Sequence, residues 1–134
     1  LNLKLPLLGR WNEERQHLAE IYRDELEGLN EVIFQKIPEG YTHAFHLVAA
    51  LVEDRPNLMK FLSEQGVETK VVYPTPVHLL PAYRFLGHQE GDFPNAEKVC
   101  RRVLCFPAYP GMGDDRVFET ATLIRRFYSR SRAE

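Results

Sequence analysis

Residues 66–83 read GVETKVVYPTPVHLLPAY, and they set the order of elements around them. Gly66 predicts the end of a helix, because a glycine reaches the left-handed conformation that closes a helix without steric cost. Thr69–Tyr73 is a β-branched run and predicts a strand. Pro74, Pro76 and Pro81 then stiffen the loop that carries His78, each ring locking its own φ and restricting the residue before it. Helix, strand and braced loop in so short a span point to a mixed architecture in which helices pack on a small sheet.

Working outward, residues 10–28 predict a helix, with Trp11, Leu18, Ile21, Tyr22, Leu26 and Leu29 on one stripe and Glu13, Glu14, Glu20, Arg23 and Glu27 off it. Gly28 or Asn30 ends that helix. Residues 32–37 predict a strand, Pro38-Glu39-Gly40 a turn, and residues 44–52 a longer strand. A second helix opens at Asp54-Arg55-Pro56-Asn57, with Pro56 in its first turn, since a proline in the interior would cost ~3 kcal/mol. Leu58, Phe61 and Leu62 form its buried face. Residues 81–86 suit a helical turn or two before Gly87, and a short helix runs from Asp92 or Phe93 to Arg102. Residues 103–106 predict a brief strand closed by Pro107. Asp114 predicts the cap of a last helix with Val117, Ala121, Ile124 and Phe127 or Tyr128 inward. The expectation is an α+β domain with three to four short strands in an antiparallel or mixed sheet, covered by helices on one face.

The bulk composition narrows the classes. At 134 residues, with 44% hydrophobic and 27% charged side chains, the chain fits one globular domain. A net charge of −2 gives no basic footprint for nucleic acid. No apolar run approaches the ~20 residues that span a bilayer, and the opening residues lack the pattern of an export leader. Cys100 and Cys105 lack zinc or CxxC spacing and suit reduced thiols in a cytoplasmic protein. LNLKLPLLGRW starts in mid-pattern without a methionine, which is the expectation for a piece of a longer polypeptide.

The candidate chemistry is sparse. His43 and His46, three apart on or beside a strand, point to opposite faces with Cα atoms ~10 Å apart, too far for ligands that zinc needs within ~2.0–2.3 Å. His17 and His88 read as solvated. His78 has a plain reading, a loop imidazole bonded to backbone, and a functional one, a polar group on the rim of a site beside Tyr73 and Tyr83. Asp54, Asp92 and Asp114 read as helix caps. Arg125, Arg126, Arg130 and Arg132 read as cations at a helix C-terminus, where the macrodipole favours them. There is no GxSxG, and Gly111-Met112-Gly113 is a turn, not a phosphate loop.

Three stretches together carry a resemblance: LNLKLPLLGRWNEERQHLAEIYRDEL, THAFHLVAALVEDRPNLMKFLSEQGVETKVVYPTPVHLLPAY, and GDFPNAEKVCRRVLCFPAYPGM. In this order they resemble the C-terminal part of the DegT/DnrJ-type sugar aminotransferases, pyridoxal-phosphate enzymes of the aspartate-aminotransferase fold. The resemblance implies an interdomain segment and long helix over residues 1–30, a small C-terminal domain over 31–134, and a large cofactor-binding domain outside this chain. It implies that His78, after the YPxPxH-type loop, and Tyr73 within it look toward the sugar-nucleotide substrate, with His46 and His43, in a more variable stretch near the domain interface, as further substrate-binding residues. Val72, Pro56 and the pair Ala49-Ala50 depart from the family pattern. The family's lysine, which holds the cofactor as a Schiff base, has no counterpart among Lys4, Lys36, Lys60, Lys70 and Lys98. The implied parent enzyme uses pyridoxal 5′-phosphate to move an amino group, from glutamate, to a keto-sugar nucleotide and acts as a homodimer. This segment alone is expected to be inactive and to bind no cofactor. The competing expectation is a stand-alone ligand-binding or regulatory α+β module without catalysis; exposure of Leu7, Leu8, Trp11 and Tyr22 would favour a missing partner domain instead.

Overall fold

The computed structural model describes residues 1–131. A single 3-10 turn, Leu5–Leu7, leads into helix α1, Leu8–Glu25. The stripe set by the 3.6-residue period buries Leu18, Ala19, Ile21 and Tyr22. Gly28, at φ 76°, takes the left-handed turn that redirects the chain into strand β1, Val32–Phe34. Strand β2, Val48–Val52, pairs antiparallel with β1 and, on its other edge, with β3, Val103–Phe106. The order is β1-β2-β3.

Directly opposed residues of antiparallel strands share a face. The register Val32↔Val52, Phe34↔Ala50, Ala50↔Leu104 and Val48↔Phe106 therefore puts all of these on one side of the sheet. That side is the core. Helices α1, α2 (Arg55–Glu64) and α4 (Asp114–Ser131) bury Tyr22, Leu58, Leu62, Val117, Ala121, Ile124 and Tyr128 with it. Tyr22 stacks at 5.4 Å on Phe106, and its hydroxyl donates to the Pro107 carbonyl at 3.1 Å. Helix α3, Pro94–Arg102, follows the loop region and feeds directly into β3. The α+β class, the long first helix and the antiparallel sheet agree with the sequence reading.

Several local expectations are corrected. The strand expected over 69–73 does not form: Lys70 alone bridges Cys105, and Tyr73, at φ 59°, turns the chain away before Pro74. The strand expected over 44–52 starts only at Val48. Phe45 sits at φ 44°, and its N–H donates to His43 Nδ1 at 3.0 Å, a local bond that replaces the ladder. The strand expected over 32–37 stops at Phe34, where Arg23 claims the Gln35 carbonyl and stacks 5.6 Å from the Phe34 ring.

The expected acidic caps also resolve differently. Asp54 holds the N-cap position of α2 in the left-handed region, but its carboxylate accepts from the Asn57 side chain at 3.0 Å and not from a backbone N–H. Asp114 is the first helical residue of α4 and meets His17 Nε2 at 2.9 Å, so His17 is paired, though exposed. Phe93, not Asp92, caps α3. Arg125 reaches across to α1 and donates to the carbonyls of Glu25 and Glu27, the latter at 2.7 Å. It caps the end of another helix, where the sequence suggested a cation favoured by the macrodipole of its own helix. Arg132 of that basic tail lies outside the described residues. Both cysteines are free and buried.

Candidate functional site

The braced loop builds a groove. Pro76, extended at ψ 142°, turns into the 3-10 turn Val77–Leu79, closed by the Leu79 N–H on the Pro76 carbonyl at 3.0 Å. A second 3-10 segment, Pro81–Leu86, ends at Gly87. These turns and the first turns of α3 enclose an open groove of about 780 Å³ lined by Tyr73, Val77, His78, Tyr83 and Phe93 among others. Its walls are mostly aromatic or aliphatic, with a few polar groups, the make-up of a small-molecule site. Tyr73 is 78% exposed on its rim. Tyr73, His78 and Tyr83 are thus brought together as the sequence suggested.

His78 is not bonded to backbone. Its side chain is only 8% exposed and its Nε2 lies 3.1 Å from Glu97 Oε1. Glu97, 4% exposed, is a buried carboxylate in the first turn of α3, the position where the helix dipole favours negative charge. The same oxygen accepts the N–H groups of Gly91 at 2.9 Å and Phe93 at 3.3 Å. The Gly91 N–H is the chief reason its acidity is raised; burial works the other way, and the Phe93 N–H and His78 add to the lowering of its pKa. Gly91 sits at φ 98°, a backbone setting a side chain would strain, and that setting delivers its N–H to the carboxylate.

The Phe93 ring is packed 4.8 Å from His78 and 5.0 Å from His88. His88 in turn meets Asp92 at 3.3 Å, so it is not a free solvated ring. Asp92 accepts the Gln89 N–H at 3.0 Å, which is the main cause of its lowered pKa.

The other two histidines lie elsewhere. His46 borders a separate depression of about 540 Å³ with Lys70, Arg116 and Glu119. His43 lines neither hollow; its ring packs 4.4 Å from Phe45. Among the described residues no group of three His, Cys, Asp or Glu side chains could hold a metal ion. Glu97 is the residue that sequence reading missed as part of the site. Its signal was present: an acid in the first turn of a helix opened by proline, reaching back to the N–H that precedes the helix in the manner of a capping carboxylate.

Fold and groove together define a class: a small α+β unit that presents a rigid, aromatic-walled site on one loop cluster. The chain belongs to the DegT/DnrJ/EryC1/StrS aminotransferase family, whose model matches residues 1–125. It is 36% identical over 130 residues to a pleiotropic regulatory protein of Geobacillus stearothermophilus, covering 96% of this chain and 35% of that protein. It is 32% identical to the dTDP-3-amino-3,4,6-trideoxy-alpha-D-glucose transaminase of Streptomyces venezuelae, covering 97% of this chain and 34% of the relative. Among solved structures, S. venezuelae DesV in complex with a ketimine intermediate superposes with a TM-score of 0.90 at 31% identity, over 94% of this chain and 34% of DesV. The chain therefore spans about a third of the length of the relatives it matches.

Aminotransferases of this family imply pyridoxal phosphate. A lysine-linked cofactor needs an amine in the site and an acidic partner for the pyridine nitrogen. All five lysines of this chain are exposed, and none lines the His78 groove. The residues lining the His78 groove do not fit the cofactor, and no step through it is assigned to them.

Proposed function

We propose that this chain is the C-terminal domain of a pyridoxal-phosphate-dependent sugar aminotransferase and that its groove forms the substrate-side wall of the active site. The large domain of the same polypeptide supplies the cofactor and its lysine. The substrate is a keto-sugar nucleotide, the amino donor is glutamate, and the working enzyme is a cytoplasmic homodimer. Residues 1–30 connect the two domains, and residues 31–134 form the small one.

The observation that carries the reading is the His78 groove: one imidazole, pinned by a buried carboxylate, among aromatic and aliphatic walls. Such a surface suits a sugar ring, with apolar faces to stack on and a fixed polar group to orient hydroxyls. Positioning is where a domain of this kind contributes to rate, since orientation alone can supply several kcal/mol. Tyr73 and Tyr83 border the same substrate space, whereas His46 and His43 are assigned to the domain boundary.

Exposed leucines support a partner domain over a stand-alone module. Leu5 is 64% exposed, Leu8 46% and Leu7 37%. Trp11 is half-buried and Tyr22 fully buried, so those two drop out of the argument.

The test is kinetic. In the polypeptide that carries both domains, His78→Ala is expected to raise KM for the keto-sugar nucleotide at least about tenfold, the loss of one good polar contact. The cofactor's visible spectrum should stay unchanged. An unaltered KM would overturn the substrate-wall assignment.

A further inference from the structure

Glu97 Oε1 gathers three groups: the nearby Gly91 and Phe93 amides and, from 19 residues away, the His78 ring. A carboxylate offers only lone pairs when ionised, so the ring atom 3.1 Å away must be the donor. The opposite tautomer would set the Nε2 lone pair against a carboxylate oxygen already loaded with charge. The anion is maintained chiefly by the Gly91 N–H. The Arg101 guanidinium stands 3.8 Å from the second oxygen, and the His88–Asp92 pair lies beyond Phe93.

That leaves His78 Nδ1. It makes no hydrogen bond among the described residues, and it is not among the sealed, unpartnered polar atoms of the interior. His78 lines the groove, and with Nε2 engaged by Glu97, Nδ1 is the ring nitrogen left to face it.

We propose that Glu97 is a positioning residue: whenever the His78 ring is neutral, Glu97 holds it as the Nε2–H tautomer, so that Nδ1 meets the groove as an acceptor and selects a hydrogen-bond donor on the bound molecule. A sugar hydroxyl or an amine N–H meets that demand; a phosphate oxygen or an ionised carboxylate does not. The ligand half of this inference rests on the proposed function, whereas the tautomer half does not.

The experiment uses the 134-residue chain labelled with 15N-histidine, with long-range proton–nitrogen spectra recorded above the imidazole titration. Wild type is expected to show the Nε2–H form in at least about tenfold excess, the preference a charged acceptor gives. In Glu97→Gln the amide can offer either donor or acceptor, and the excess should fall to about threefold or less. Glu97→Asp, which keeps the anion, should recover part of the excess. Equal tautomer ratios in wild type and Glu97→Gln, or a wild-type ring protonated on Nδ1, would overturn the proposal. If Glu97→Gln loses its native spectrum, the wild-type ratio alone decides: Nε2–H in excess supports the proposal, and Nδ1–H in excess overturns it.

A second arm adds thymidine diphosphate glucose or thymidine diphosphate to the labelled polypeptide that carries both domains. A shift of the Nδ1 resonance with the sugar nucleotide alone supports selection of a donor. An equal shift with the diphosphate overturns it. Silence with both overturns the substrate-wall reading and leaves the tautomer ratio to decide the role of Glu97.

Discussion

Arg55 ties the site to the rest of the domain, and its removal has a calculable effect. It is the first residue of α2, half-buried, and its Nη1 donates to the carbonyls of Cys100 at 2.7 Å and Val103 at 3.0 Å. Those carbonyls sit where α3 ends and β3 begins, among the acceptors a helix terminus leaves without intrahelical donors. Arg55→Met keeps most of the aliphatic stem and removes the donor. A hydrogen bond from a charged group is worth about 1.5–3 kcal/mol, and one nitrogen shared by two carbonyls gains little more than one bond, so the loss is about 2 kcal/mol. With an unfolding entropy of about 2.1 cal/mol/K per residue, 134 residues give about 0.28 kcal/mol/K, and Tm falls by about 7 °C. Calorimetry measures that drop. Amide exchange should show the extra opening concentrated over residues 94–102, and the His78–Glu97 pair should loosen with it. A change in Tm below about 2 °C, or exchange accelerated evenly across the domain, would refute the assignment of Arg55 as the anchor of α3.

Leu58→Ala should be more severe: the side chain, on α2, is fully buried in the hydrophobic core, and its loss costs about 3 kcal/mol, readable as a lower urea midpoint with an unchanged slope. Burial pushes the Cys105 thiol pKa up, so iodoacetamide at mildly alkaline pH should modify it at least about tenfold more slowly in the native chain than in denaturant; comparable rates would contradict its buried environment. Glu97 predicts an acid limb. Its carboxyl titrates below the ordinary 4.5 when folded, so the unfolded chain binds the proton first. Its stabilisation is present above about 4.5 and lost as pH falls through the lower folded value. Urea midpoints of wild type and Glu97→Gln should therefore converge as pH drops from about 5 to 3, and a gap that stays constant would count against the anionic pairing.

Periodicity made the framework legible. The stripe through Leu18, Ile21 and Tyr22, the Pro56 start of α2 and the Val117–Ala121–Ile124 face of α4 are local patterns, and each element formed about where they predict. The strands were less legible, because ladder partners and not propensity decide their ends. Residues 69–73 have strand composition, yet Tyr73 turns into the left-handed region and leaves one bridge at Lys70. Phe45 and Arg23 shortened the other two through side-chain bonds that no periodicity encodes. At the site, the prolines announced a fixed His78. Its partner lay 19 residues further on, in a residue that reads as a surface acid until the Gly91 turn folds over it. His43 and His46 show the converse: near in sequence, they are separated by the Phe45 turn and share no hollow.

The central claim is that this chain shapes a substrate wall while the cofactor lysine lies in another domain. It is tested most directly by incubating the 134-residue chain with pyridoxal phosphate, reducing with borohydride and mapping any pyridoxyl-lysine by mass spectrometry. The account predicts only scattered, substoichiometric labelling of exposed lysines and no stable visible band. One stoichiometric adduct, abolished with its band by replacing a single lysine among Lys4, Lys36, Lys60, Lys70 and Lys98, would contradict it.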